Sequence, residues 1–245
     1  MPLPNTIQLL DPLTLALIAL VTFATSAFAA ILGQGGGLML MGVLSTTIPT
    51  AILVPFHGTV QAASNGSRAF FAFHAVNWPL ITPLIITTVL GALLVMPYLQ
   101  SINWQWMKPA IGIYILWSVW GPKLPFTLPG SLIGLAQGAL GVLFGATGPL
   151  GNAYLLKQGL SPAQLISSNA VIMFVSHISK LIVFIMAGSL FFQYWCDLAW
   201  LATAAILGSF VGGRFRSRLS NELFFVLFKA LLTLLAVNMV ISIWI

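Results

Sequence analysis

Carboxylates are almost missing from this chain. Its 245 residues include three Asp or Glu, Asp11, Asp197 and Glu222, against nine Lys or Arg, and charged positions make up 5% of the whole. A soluble domain carries roughly 25% charged residues, so an ordinary soluble fold is excluded. Cys196 stands alone, which excludes an intrachain disulfide and a thiolate zinc site. Three histidines with no carboxylate nearby are too few for a histidine-rich di-iron centre, and no cofactor is expected. The first apolar run has no Lys or Arg ahead of it and begins at Asp11-Pro12. It therefore lacks the pattern of a cleavable signal peptide and is expected to stay in the mature protein.

What is abundant is apolar sequence. Hydrophobic residues fill 59% of the chain, in runs of about 20 residues separated by short turns, each long enough to cross a ~30 Å hydrocarbon core. The fold class is an all-α polytopic membrane protein with lipid as its surroundings. The net charge of +6 is thinly spread, and its one dense cluster is Arg214, Arg216 and Arg218. Such a cluster reads as a cytoplasmic loop. A nucleic-acid partner would need a basic, aromatic face on a polar domain.

The chain also repeats itself. Residues 33 to 68 align without a gap on residues 145 to 180, with Gly33, Gly36, Leu38, Leu44, Ala51, Leu53, Ser64 and Ser67 identical to their counterparts. Gly33-Gln34-Gly35-Gly36-Gly37 is answered by Gly145-Ala146-Thr147-Gly148-Pro149, and His57, Asn65 and Arg68 by Asn169, His177 and Lys180. The polar residues are the costly ones in such a chain, and they recur at one offset. The halves are residues 1–121 and 129–245, joined by the Pro-rich linker 122–128.

Each half has apolar runs in the same order. In the first they cover about residues 12–32, then a glycine break and a short segment to 48, followed by 51–75, 79–99 and 105–121. In the second they cover about 129–146, a break, 150–158, 163–188, 196–213 and 222–244. If each short segment crosses the membrane, each half has five crossings and the halves are inverted; if break and segment make one crossing, each has four and they are parallel. The inverted arrangement is preferred, because residues 12–48 as one helix would measure roughly 55 Å. Glycine-interrupted segments at matching places of two halves mark the binding sites of transporters built on broken helices. A tight turn with close glycine packing is the plainer alternative.

The helix after the first break carries His57, Gln61, Asn65 and Arg68 within a sector of about 80 degrees, at ~100 degrees per residue. Ser64 lies beside them. The later helix carries Asn169, Ser176, His177 and Lys180 on one face, with Met173 in the glutamine's place. Asp197 and Glu222 are expected near helix ends, open to solvent or headgroups, and His74 at an interface. A basic residue at bilayer depth costs about 2.5–3.5 kcal/mol on the mildest scale and is usually paired and functional. Here the carboxylate partners are missing. A cavity with Arg68, Lys180, His57, His177 and neighbouring amides and hydroxyls would attract a small anion. Helix N-termini at Gly35, Gly36, Gly37 and Gly148 would add N–H donors. The alternative is that Arg68 and Lys180 snorkel to an interface or bond to backbone carbonyls.

The glycine-rich break, the His/Asn/Ser/Arg helix ending near an aromatic, and Gly-Ala-Thr-Gly-Pro ahead of Ser167-Ser168-Asn169-Ala170 together resemble the sulfite exporter TauE/SafE family. The resemblance covers nearly the whole chain. It implies a multi-pass inner-membrane permease with duplicated halves, moving sulfite, sulfonates or related small anions. Alternating access between the two polar helices is the expected mechanism, and a channel with the same lining is the near alternative. Other readings are a structural subunit and an intramembrane hydrolase using Ser64 or Ser176 with a histidine, although there is no Gly-x-Ser-x-Gly elbow. The chain is read as a non-enzyme. Its lipid-facing surface leaves a homodimer open.

Overall fold

The computed structural model describes residues 7–122, 128–215, 222–242 and 244. Every regular element among them is helical. The ten α-helices are α1 (Pro12–Leu32), α2 (Gly36–Leu44), α3 (Thr50–Phe71), α4 (Trp78–Val95), α5 (Met107–Trp120), α6 (Gly130–Phe144), α7 (Gly148–Leu156), α8 (Pro162–Met186), α9 (Trp195–Arg214) and α10 (Glu222–Ile241). Residues 123–127, which hold most of the expected linker, and Arg216 and Arg218 lie outside the described residues.

Local chemistry sets the helix ends. Asp11 caps α1 by accepting from the amides of Leu13 and Thr14 at 3.1 and 3.0 Å, and Pro12 supplies the first turn. The Thr14 side chain and amide, together with the Leu13 amide, hold the Asp11 carboxyl below its ordinary range. Ser161 and Gln164 cap α8 reciprocally, again with Pro at the start. At the other end α1 stops at Gly33 (φ 81°) and α6 at Gly145 (φ 79°). This left-handed backbone is one that glycine adopts without a Cβ penalty.

Among the described residues, four helical stretches are long and apolar enough to cross a membrane: Pro12–Leu32, Trp78–Ser101, Pro162–Met186 and Phe191–Arg214. Large apolar side chains cover the outside, including Leu20 at 66%, Leu94 at 61%, Trp200 at 66% and Leu234 at 70% exposure. In water such a surface would aggregate; in lipid it is the expected exterior. By contrast α2 and α7 have nine residues each, about 14 Å of helix, so neither spans a bilayer.

The helices pair reciprocally. α1 lies along α9 and α6 along α4, while α3 packs on α8 and α5 on α10. The first two contacts are so close that backbone meets backbone. A Cβ on Gly212 would fall 2.2 Å from the Ala27 carbonyl oxygen, and one on Gly138 would fall 1.9 Å from that of Thr88. The bounds of α2 and α7 coincide under the internal alignment, as do the starts of α3 and α8. The centre belongs to α3 and α8, whose polar residues are buried against each other and against both breaks.

Asp197 corrects an expectation. Instead of facing solvent or headgroups it is fully buried in the first turn of α9, where its Oδ2 accepts the Leu9 amide at 2.8 Å. The carboxylate ties down the segment before α1, which the order of residues along the chain gave no means to foresee.

Candidate functional site

Both helix breaks open on one partly open cleft, about 380 Å³ when its open mouth is included. On one side the chain leaves α1 at Gly33, passes Gln34 and re-enters helix at Gly36; on the other it leaves α6 at Gly145 and re-enters at Gly148. Neither new helix has a side-chain cap at its N-terminus, and Gly35, Gly37, Gly148 and Pro149 line the cleft. Pro149 has no N–H to offer, so the second break brings fewer donors than the first.

The stripe on α3 arrives intact. His57, Gln61, Asn65 and Arg68 all line the cleft, as helical periodicity requires of positions 4, 8 and 11 residues on from the first. The Arg68 guanidinium is buried and oriented by two neutral oxygens. Nη1 donates to the Ala29 carbonyl at 2.8 Å, and Nη2 donates to Asn65 Oδ1. Its Nε–H is buried with no hydrogen-bond partner. Asn65 is held in turn, with its amide nitrogen donating to the Gln61 carbonyl at 2.8 Å and to Gln61 Oε1 at 3.3 Å. His57 Nε2 lies 2.9 Å from the Gly37 carbonyl. A carbonyl can only accept, so Nε2 carries the hydrogen.

From α8, Asn169, Met173 and His177 line the cleft. Asn169 Nδ2 donates to the Gly33 carbonyl at 3.0 Å, so the second half's polar helix holds the first half's break. The His57 and His177 rings meet edge to face, with centroids 5.9 Å apart. A second bridge between the halves runs from Asn152 Nδ2 to Gln34 Oε1 at 2.8 Å.

The remaining expected site residues lie off the cleft lining. Lys180 is fully buried, and its Nζ donates to the Gly145 carbonyl at 2.8 Å. The cation thus sits at the C-terminus of α6, where helix dipole and unsatisfied carbonyls favour positive charge. Ser64 turns to α9 and shares a 3.1 Å hydroxyl bond with Ser209. Ser176 faces α6, its Oγ 3.1 Å from where a Gly141 Cβ would stand. Gly36 is pressed against α1, with 2.0 Å between an added Cβ and the Thr25 carbonyl oxygen.

Sequence reasoning missed Gln137. It is fully buried in α6, donates from Nε2 to Met173 Sδ at 3.5 Å, and accepts the Thr147 hydroxyl on its backbone carbonyl oxygen. A solitary amide in an apolar helix was a usable signal, but it lay ahead of the aligned segments. Asn152 aligns with Leu40, so the repeat gave no hint of it either.

As a whole, the site presents a buried guanidinium, two imidazoles and oriented amides at the meeting of two broken helices. Arginine, imidazole N–H and amide N–H are groups whose chemistry suits pairing with oxyanions. A family model described as Sulfite exporter TauE/SafE matches residues 18–239. Neither curated proteins nor solved structures gave a match. The match takes in both breaks, both polar helices, three of the four long apolar stretches whole and the first from residue 18 on, and the chain belongs to the sulfite exporter TauE/SafE family of membrane transporters.

Proposed function

We propose that this protein is an inner-membrane permease that moves sulfite or a closely related sulfur-containing or organic anion by alternating access around the cleft between α3 and α8. The observation that carries this reading is Arg68. Its charge is desolvated at the cleft, and its partners are the neutral oxygens of Ala29 and Asn65. A buried charge without a counter-ion is costly. An anion entering the cleft would supply the compensation, with Arg68 as principal binding group. His57, His177, Gln61, Asn65, Asn169 and the N–H groups at Gly35, Gly37 and Gly148 would complete the shell. Lys180 would act at longer range through its charge, while Ser64, Ser176 and Gly36 would shape the helices that carry the site.

The reciprocal pairing of α1 with α9 and of α6 with α4 supports a two-fold exchange of the halves. Neither α2 nor α7 is long enough to cross alone, so this two-fold reading rests on the helix pairing and not on a count of five crossings per half. Rocking of one half against the other would then expose the cleft to each side in turn. The Asn169–Gly33 and Asn152–Gln34 bonds cross the plane on which such rocking turns and would have to be exchanged.

Sulfite flux in proteoliposomes tests this at matched protein levels. Arg68→Ala is expected to weaken anion binding by about 10- to 100-fold, the equivalent of losing charge-assisted hydrogen bonds worth about 1.5–3 kcal/mol. Counterflow with saturating flux separates a carrier from a channel. If the folded parent moves no anion under any gradient, the proposal is wrong.

A further inference from the structure

Two residues at the cleft keep a buried acceptor that nothing satisfies, and in each the chemistry of a backbone partner fixes which atom that is. Asn169 must turn its nitrogen to the Gly33 carbonyl, since its oxygen could not donate there; Oδ1 therefore faces away, and it is buried without a partner. His57 must carry its hydrogen on Nε2 to meet the Gly37 carbonyl, so in the neutral ring Nδ1 is a lone pair. That atom too is buried and unpartnered. Asn169 is 2% exposed and His57 fully buried, and both line the cleft.

No donor bonds to either acceptor. Lys180 Nζ gives one of its three hydrogens to Gly145 O, and the Arg68 Nη groups donate to Ala29 O and Asn65 Oδ1. Among the residues lining the cleft, the buried unpaired groups are the Arg68 Nε–H, which wants an acceptor, Asn169 Oδ1 and His57 Nδ1, which want a hydrogen, and His177 Nδ1, which donates or accepts according to its tautomer. Native structures rarely leave buried acceptors unpaired. An oxyanion made only of acceptor oxygens would satisfy the arginine and be repelled by the two lone pairs.

We infer that the substrate is an oxyanion carrying its own hydrogen-bond donor, such as a protonated oxyanion or a hydroxylated sulfonate, with its anionic oxygens toward Arg68 and its O–H toward Asn169 Oδ1 and His57 Nδ1. The inference rests on the anion reading of the cleft and adds to it a polarity along the ligand. It also supplies a basis for rejecting fully deprotonated or simple alkyl competitors, because a site built to receive an O–H leaves its acceptors unpaired when the ligand lacks one.

The test compares two monoanions of nearly equal size, 2-hydroxyethanesulfonate and propane-1-sulfonate, by calorimetric titration of the purified full chain in detergent, with sulfite as reference. Both stay singly charged across the neutral range, so the hydroxyl is the variable. The hydroxylated ligand is expected to bind at least about tenfold more tightly. Equal affinity, or tighter binding of propane-1-sulfonate, overturns the inference while leaving the anion site standing. If neither sulfonate nor sulfite binds, the anion reading itself fails and this inference with it. Two variants, Asn169→Leu and His57→Phe, then locate the acceptor. The preference is expected to shrink toward parity in at least one, and a preference that survives in both folded variants removes these residues from the role. The central comparison uses the unaltered chain, so misfolding of a variant does not blunt it.

Discussion

Lys180 Nζ donates to the carbonyl oxygen of Gly145 at 2.8 Å, and this bond divides the labour between the two buried cations. Arg68 binds the last turn of α1 through Ala29 O yet still lines the cleft; Lys180 binds the end of α6 and does not. Their positions are equivalent in the internal repeat, but their exposure to a ligand is not.

Lys180→Met is therefore expected to harm folding more than binding. It keeps most of the side-chain volume against Gly58, whose added Cβ would come 2.8 Å from Lys180 Cε, while leaving the Gly145 carbonyl unpaired. Such a loss costs about 1–3 kcal/mol. Thermal unfolding in detergent should show a clear drop, and anion affinity of the folded fraction should fall less than in Arg68→Met. The opposite order would place Lys180 in direct contact with the ligand.

The breaks make a graded prediction about glycine. Gly36→Ala drives a Cβ to 2.0 Å from the Thr25 carbonyl oxygen, where backbone cannot yield, so little folded protein is expected. At Gly145 the clash is with Met41 Cε at 2.1 Å and the backbone is left-handed, φ 79°. Shortening Met41 in a Gly145→Ala background should recover the steric part but not the conformational part, about 1–2 kcal/mol. Gly159, left-handed at φ 65° with nothing within 4 Å of an added Cβ, gives the control: its alanine variant should lose the conformational part alone. Chemical or thermal denaturation of the three variants ranks them, and a Gly36→Ala protein as stable as Gly159→Ala would refute the packing of α2 on α1.

Much of this was legible in the sequence because membrane segments are written in a strong code. The apolar run of about residues 12–32, ending at the glycine break, matches α1, and 3.6-residue periodicity put His57, Gln61, Asn65 and Arg68 on one face before any packing was known. Periodicity could not say which edge of that face meets the cleft. Ser64 is within hydrogen-bond reach of α9 and takes Ser209 as its partner, a neighbour 145 residues away. The Asp197–Leu9 contact spans a still longer separation. Contacts of this kind depend on how helices are placed, and a lone polar residue such as Gln137 has no echo to betray it.

Ser64 also provides a test against hydrolytic chemistry. Its hydroxyl pairs with Ser209 Oγ, and Ser209 Oγ lies 3.2 Å from the Ser64 carbonyl, an arrangement suited to joining α3 and α9. Ser64→Ala should leave anion flux per folded molecule within about twofold, while lowering stability by about 0.5–1.5 kcal/mol. Combining it with Ser209→Ala should cost less than the sum of the single changes, because the pair shares one bond. Loss of all activity in a fully stable Ser64→Ala protein would revive the serine as a chemical group.

Asp197 gives the sharpest local prediction, because its partner is a single backbone amide. The Leu9 N–H is bonded to Oδ2, and Leu10 beside it is packed into the apolar core, so carboxylate and leucine together pin the chain against the first turn of α9. Asp197→Ala removes the acceptor and leaves the Leu9 amide to open with the segment, whereas Asp197→Asn retains an acceptor oxygen of the same shape. Hydrogen exchange at Leu9, read by mass spectrometry of N-terminal peptides, should accelerate by about tenfold or more in the alanine variant, matching a bond of about 1.5–3 kcal/mol to a charged group. In the asparagine variant it should remain closer to the parent. Anion binding at the cleft should be nearly unchanged in both, since Asp197 is not among the residues lining it. If exchange at Leu9 were the same in all three proteins, the carboxylate would not be what holds the segment, and the core contacts of Leu10 would have to do so alone.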